Sequence, residues 1–286
     1  MNADIVQVPA RVSYRQGMLL DASDFSDEQN YHRLRLAEVL ARLHGSGTAA
    51  GLKVAASRKG DLLPDGTIVK EDEIKVQPGF AVDRRGRLLE VPTARCLRLD
   101  NWFAAVATAG SAVLKPLTVG ATERWLVGDV FLRYVECPQG LRPGFPEAGA
   151  DATDAVVAAR LKDGFELLLA PRSSETAGVP PPLPKKPFQP APATRKDLLE
   201  AIYGSYQPAA EPVEYPAAPM DDTPAGTPIK KLNEKTAVFL ARVLLRLTDA
   251  PATVLARHAM KEFKVEDDSR LVLPAAELLF GLTPLA

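Results

Sequence analysis

The stretch Val12–Val54, VSYRQGMLLDASDFSDEQNYHRLRLAEVLARLHGSGTAAGLKV, decides how the chain is read. Val12 to Tyr14 reads as extended, and Gln16-Gly17 as a turn in which the missing Cβ permits a positive φ. Asp21, Ser23 and Asp24 are candidate N-caps, and Asp27 and Glu28 place negative charge on the first helical turn, where the dipole favours it. A helix is therefore expected from about Asp24. Phe25, His32, Leu36, Val39 and Leu43 fall on one face at steps of 7, 4, 3 and 4 residues, flanked by Tyr31, Leu34 and Leu40. Arg33, Arg35, Glu38 and Arg42 occupy the other side. Gly45-Ser46-Gly47 ends the helix, since the residue after the last turn commonly takes the left-handed conformation that glycine reaches most cheaply. The stripe is wide enough to be covered by a sheet or by partner helices, so burial of Phe25, Tyr31, Leu36 and Leu43 is expected, with no pocket chemistry around His44.

Working outward, Thr48 to Ala56 reads as a strand. Ile74–Val76, Phe80–Val82 and Leu88–Val91 alternate at period two and are separated by Pro78-Gly79 and by Asp83-Arg84-Arg85-Gly86, the pattern of a β-meander. Leu126 to Glu136 is long, β-branched and aromatic, as in a central strand. Ala155–Leu161 and Phe165–Leu169 flank Lys162-Asp163-Gly164 and read as a hairpin. Beyond Ala170 the composition changes, and about half of the 25 prolines lie between Gly178 and Pro228. Proline at that density removes ladder donors and fixes φ, giving an extended arm. One short helix, Lys196–Tyr203, interrupts it between a cap at Thr194 and a stop at Gly204. Asn233–Thr248 then reads as an apolar helix, Pro251 to about Phe263 as another, Arg270–Leu273 as extended, and Pro274–Phe280 as a terminal helix. The expected fold is α+β: a long N-terminal amphipathic helix packed on an antiparallel β-meander or sandwich in residues 1–170, a proline-rich arm over 171–230, and a small helical part over 231–286.

The chemistry-bearing residues are sparse. In 286 residues, 35 basic and 36 acidic side chains leave a net charge of −1, which asks for neither nucleic acid nor an anionic membrane. No apolar run approaches the ~18 residues of a membrane span, and the N-terminus has no signal-peptide pattern, so synthesis and folding in the cytoplasm are expected. Cys96 and Cys137 have no metal-ligand spacing and read as two buried thiols. His32, His44 and His258 are the three histidines, and none pairs at the spacing of a helical zinc site. No G-x-S-x-G elbow, P-loop or H-E-x-x-H occurs. Gly45, Gly47 and Gly51 spell G-x-G-x-x-x-G, but they follow a helix C-terminus, whereas phosphate binding uses glycines that open a helix. The acidic groups Glu71-Asp72-Glu73, Asp221-Asp222 and Glu266-Asp267-Asp268 fall in expected loops or at helix ends, where no cleft drives their pKa values apart. Neither an enzyme, a cofactor nor a metal site is expected.

The chain's opening resembles a family found with phage-tail-like contractile injection systems and related tail or baseplate components. Its pattern is G-M-x-L-x-x-x-D-F-x-x-E-Q-x-Y, a long helix ending in L-H-G-x-G, then G-L-x-V and V-x-P-G-x-A-x-D-x-x-G-R. The matching residues are Gly17, Met18, Leu20, Asp24, Phe25, Glu28, Gln29, Tyr31, Leu43, His44, Gly45, Gly47, Gly51, Leu52, Val54, Val76, Pro78, Gly79, Ala81, Asp83, Gly86 and Arg87. FLRYVE and RLKDGFEL look like the later part of the same module, so the likeness covers about residues 10–170. The opening is more distantly similar to the type VI secretion baseplate subunit that links baseplate to membrane complex. Ala49 and Ala50 stand where cysteines often accompany the pattern. The resemblance implies a structural subunit at the baseplate or fibre attachment, bound to other baseplate, spike or fibre proteins and to copies of itself, with no direct membrane span. It implies assembly into a particle after synthesis, with Gly17, Met18, Phe25, Gln29, Tyr31, Leu36, Leu43, His44, Gly45, Gly47, Gly51, Pro78, Gly79, Asp83 and Gly86 serving structure or docking. The alternative is a carbohydrate- or cell-surface-binding adhesin module, suggested by the meander with Trp102 and Trp125.

Overall fold

The computed structural model describes residues 11–63, 65–109, 114–120, 122–143, 156–174, 176, 178–183, 194–204, 236–248 and 255–273. It is α+β, with more strand than helix and mostly antiparallel sheets. Helix α1 spans Ala22–Val39 and closes with a π turn over Leu40–His44. Asp21 caps it: its carboxylate accepts from the Ser23 and Asp24 amides, while Asp24 accepts from the Asp21 amide at 2.9 Å. That reciprocal box satisfies amides that would otherwise lack partners, and it starts the helix at Ala22, two residues before Asp24. The turn before it stands on Gly17 at φ 85°.

Two three-stranded sheets follow, and the chain alternates between them. Strands β1 (Gly47–Gly51), β4 (Gly79–Val82) and β5 (Leu88–Val91) form one, in the order β1-β4-β5. Strands β2 (Val54–Ser57), β3 (Glu73–Val76) and β6 (Arg95–Arg98) form the other, in the order β2-β3-β6. The expected meander is therefore corrected: β4 and β5 are a hairpin across Asp83–Gly86, but β3 and β4 belong to different sheets. The expected strand Thr48–Ala56 is likewise two strands, broken at Leu52, whose φ is 55°. Period-two alternation reports which face is buried and says nothing about which neighbour completes the ladder. Ile74, Val76, Ala81, Leu89 and Val91, from both sheets, share one core.

That core continues into a five-stranded sheet whose path is β11-β10-β8-β7, with β9 also on β8. The strands are β7 (Leu117–Val119), β8 (Glu123–Pro143), β9 (Val156–Arg172), β10 (Val238–Arg246) and β11 (Phe263–Glu266). Leu126–Glu136 is the central strand that its composition indicates, with Leu126, Phe131 and Leu132 fully buried. Helix α2, Leu99–Ala109, rests on this sheet through Trp102, whose Nε1 donates to the Leu169 carbonyl at 2.6 Å. Gly128 makes room: a Cβ there would stand 3.1 Å from the Trp102 ring.

Three further expectations are overturned. Asn233–Thr248 is no helix where described: Val238–Arg246 is β10, paired along Val238–Arg246 with β8. The second expected helix gives way, where described, to an irregular segment at 255–262 with a turn at Ala259-Met260, leading into β11. A strand buried on both faces shows a continuous aliphatic run that periodicity cannot separate from a buried helix. Lys162-Asp163-Gly164 is no turn either: β9 runs straight through it, pairing Lys162 with Cys137 and Gly164 with Val135. The strand order consequently crosses the expected boundaries at 170 and 230. Helix α3, Arg195–Gly204, lies where the short arm helix is expected, with Thr194 and Asp197 exchanging cap hydrogen bonds at 3.0 and 3.2 Å. Arg270–Leu273 bridges through Val272 to Thr48, and the expected terminal helix Pro274–Phe280 lies outside the described residues.

Candidate docking surfaces

The side chains expected to seat α1 divide into two sets. Phe25 (52%), Leu36 (54%), Val39 (48%) and Leu43 (75%) are exposed, as are Met18, Gln29 and His44, and Tyr31 is half-buried, edge-on to His32. The expected burial of Phe25, Leu36 and Leu43 is thus corrected. The body takes a narrower face, of which Ala37 is the one buried residue, with Arg33, Leu34, Leu40 and Ala41 half-buried beside it.

Two contacts hold that face. Gly86, at φ 77°, tips the β4–β5 turn against the helix so closely that a Cβ would stand 1.8 Å from the Ala37 carbonyl oxygen. Glycine is needed there for its conformation and for its size. Beneath the turn the Asp83 carboxylate, fully buried, accepts from the Arg85 and Arg87 amides at 2.9 Å and from Arg87 Nε at 2.7 Å. Second, Arg33 donates to the Tyr134 hydroxyl at 3.1 Å and to Glu136 at 2.5 Å, both on β8. The Tyr134 hydroxyl also lies 2.5 Å from Asp163 on β9, while Arg87 covers its ring at 4.5 Å. Burial and then the Asp163 hydrogen bond, with the nearby carboxylate charges, push the Tyr134 phenol well above its ordinary range. Burial alone would weaken the Arg33 charge, but the Glu136 hydrogen bond leaves its pKa raised.

The remaining motif residues gather where backbones cross. Gly51 has φ 60°, and a Cβ there would meet the Pro78 carbonyl oxygen at 2.2 Å. A Cβ on Gly79 would meet the Leu52 nitrogen at 2.3 Å. Leu52 donates its amide to Pro78 at 3.1 Å and Gln77 its amide to Lys53 at 2.9 Å, so Gly51, Pro78 and Gly79 form the crossing between the two small sheets. Gly47 faces the Leu271 carbonyl oxygen, 2.7 Å from where its Cβ would be, and Thr48 and Leu273 complete that junction. Gly45 ends α1 at φ 78° with open space around it. Of the G-x-G-x-x-x-G glycines, Gly47 and Gly51 are therefore explained by chain crossings and Gly45 by the helix stop. Among the described residues no group of three or more His, Cys, Asp or Glu is placed to hold a metal ion.

A second surface escapes the sequence reading. Beyond Glu136, β8 and β9 continue as a two-stranded ribbon from Cys137↔Lys162 to Pro143↔Val156, about 20 Å at 3.3 Å per residue. Its residues are exposed, Leu141, Val156, Val157 and Leu161 among them. An isolated ribbon of this kind is marginally stable in water, so its apolar side chains gain from a partner. Cys137 sits on it and Cys96 on the edge strand β6; both thiols are exposed, which corrects their expected burial.

The root of the proline-rich arm is fixed by charge. Asp129 on β8 and Arg242 on β10 stand directly opposite and are both buried. Arg242 donates to Asp129 at 2.8 and 3.1 Å and to the Pro181 carbonyl at 2.6 Å, and Arg172 donates to Asp129 at 2.8 Å. Trp125 is buried, at 6% exposure, in a small cluster with Leu117 and Val127, and Trp102 is half-buried and packed against the main cluster. Packing thus accounts for both tryptophans, on which, with the meander, the adhesin alternative draws. Compared with known proteins, the chain matches no protein-family model and no curated protein. Among the described residues no helix is long and apolar enough to cross a membrane.

Proposed function

We propose that this chain is a structural, non-enzymatic subunit of a contractile injection system or phage-tail-like particle, acting at the baseplate or fibre attachment through protein–protein contacts. In this reading residues 10–170 are the module that the opening pattern resembles, a long helix set on antiparallel strands. The observation that supports it is the exposed apolar line on α1, Phe25, Leu36, Val39 and Leu43, on a helix fastened at Ala37 and Arg33. A helix whose apolar side chains remain in water while its other face is anchored offers binding area without chemistry. The β8–β9 ribbon adds a projecting contact of the kind that bridges subunits, and the particle's baseplate, spike or fibre proteins are the partners it fits.

The experiment is affinity purification of the tagged chain from its source cells, with the particle's sheath and baseplate proteins sought in the eluate. Co-purification, and loss of assembled particles when the gene is deleted, is the expected result. A chain recovered without them, from cells whose particles assemble normally in its absence, would sink the proposal.

A further inference from the structure

The exposed line on α1 has a finer pattern than an apolar patch. Phe25, Gln29, His32, Leu36, Val39 and Leu43 follow one another at steps of 4, 3, 4, 3 and 4 residues, and all six are exposed. Over Ala22–Val39, at 3.6 residues per turn, the first five stay within about 40° of one line, and Leu43 follows in the π turn. That is the alternating spacing of a two-stranded coiled-coil seam, with Gln29 and Leu36 at the a positions and Phe25, His32 and Val39 at d. Arg33 and Ala37, which hold the helix to the body, lie roughly 100° to one side of this line. A second helix on the seam leaves both anchors in place.

We propose that α1 pairs, parallel and in register, with α1 of a second copy of this chain. The polar residues of the seam select the occupant. In a parallel pair a meets a and d meets d, so the two Gln29 amides hydrogen-bond each other and the two His32 rings meet. An antiparallel pair sets Gln29 against Val39 and His32 against Leu36, and a wholly apolar partner helix is no better; each removes a polar group from water without a partner. The flanks agree. In the parallel register Glu28, which Tyr14 and His32 contact in its own chain, comes beside Arg33 of the second copy, itself anchored on Glu136, and the stem of Arg35 covers Leu40; the antiparallel register sets Glu28 beside Arg42 but brings Arg35 onto Arg35. Among the described residues the body lies on one flank of α1, so a two-fold axis along the pair places the two described bodies on opposite sides. The pairing does not depend on the particle in which the chain works. A monomeric chain that still co-purified with sheath and baseplate would remove this inference and leave the proposed function standing.

Sedimentation of the full chain at roughly 0.1 mM, above the micromolar range of modest interfaces, is expected to show a dimer. Leu36→Glu places a charge in the seam at an exposed position, so folding is retained by circular dichroism while self-association weakens by about tenfold or more. Met260→Glu, at an exposed apolar position outside both α1 and the ribbon, leaves it unchanged. Orientation is read from Gln29→Cys in a Cys96→Ser/Cys137→Ser background, where mild oxidation should join two copies through residue 29. A monomer at this concentration, a trimer, an unaffected Leu36→Glu dimer, or Gln29→Cys chains that cross-link only to Val39→Cys chains would each overturn the pairing.

Discussion

Replacing Arg242 by leucine tests whether residues 238–246 are the strand that closes the large sheet. In β10 the guanidinium is buried and makes bonds to Asp129 at 2.8 and 3.1 Å and to the carbonyls of Pro181 and Pro182 at 2.6 and 3.4 Å. Leucine fills much of the volume but leaves a fully buried carboxylate with Arg172 alone and two carbonyls without this donor. Breaking a buried pair by removing one partner costs about 3–5 kcal/mol. Because Arg172 still neutralises Asp129, the lower end applies, about 3 kcal/mol. With a urea m-value of about 3 kcal/mol/M, expected for a chain of this size, the midpoint should fall by about 1 M. Asp129→Leu combined with Arg242→Leu should cost less than the sum of the two single changes, since the double variant leaves neither charge stranded by the other. Urea titrations followed by tryptophan fluorescence read both. A change under about 0.5 kcal/mol for Arg242→Leu, the range of ordinary surface positions, or strict additivity of the pair, would refute the Asp129–Arg242 contact and the β8–β10 register with it.

Other perturbations separate the roles of the motif residues. Gly86→Ala, strained at φ 77° and 1.8 Å from the Ala37 carbonyl oxygen, should lower stability by about 3 kcal/mol, whereas Gly17→Ala, also at positive φ but in open space, should cost about 1 kcal/mol; thermal melts compare them. Tyr134 should stay un-ionised through the range in which a free phenol titrates, as read by ultraviolet difference spectra. Its folded pKa is raised, so its contribution is fully present below the unfolded value of about 10 and declines as pH climbs past it; Tyr134→Phe should flatten that alkaline decline. Both cysteines should react with a thiol reagent in the native protein, Cys96 more slowly because burial and the neighbouring Glu73 raise its pKa.

Much of the local structure is legible in the residues. The Asp21 box, the Gly17 turn, the Gly45 stop, the Thr194 cap and the aromatic, β-branched strand around Leu126 all follow from side-chain chemistry acting over a few residues. What the sequence hides depends on distant partners. Val238–Leu247 is aliphatic on both sides because both faces of β10 are buried, and its arginines look like a helix's polar face until Asp129 is seen opposite Arg242. Lys162-Asp163-Gly164 has turn chemistry, yet the long ladder with β8 overrides it, and Gly164 serves close approach: a Cβ would lie 3.2 Å from the Cys137 sulfur. The stripe on α1 is correctly placed by its period, but a period cannot tell whether the covering surface belongs to the same chain. At Gly86 the body takes the Ala37 side, and Leu36 is left outside.

The most direct test of the central claim, that the Phe25–Leu43 line is a contact surface within a particle, is an electron cryo-microscopy reconstruction of particles isolated from the source cells. The account predicts that α1 is visible with Phe25, Leu36, Val39 and Leu43 covered by another protein chain. A particle that lacks this chain, or one in which that line faces solvent, would contradict it.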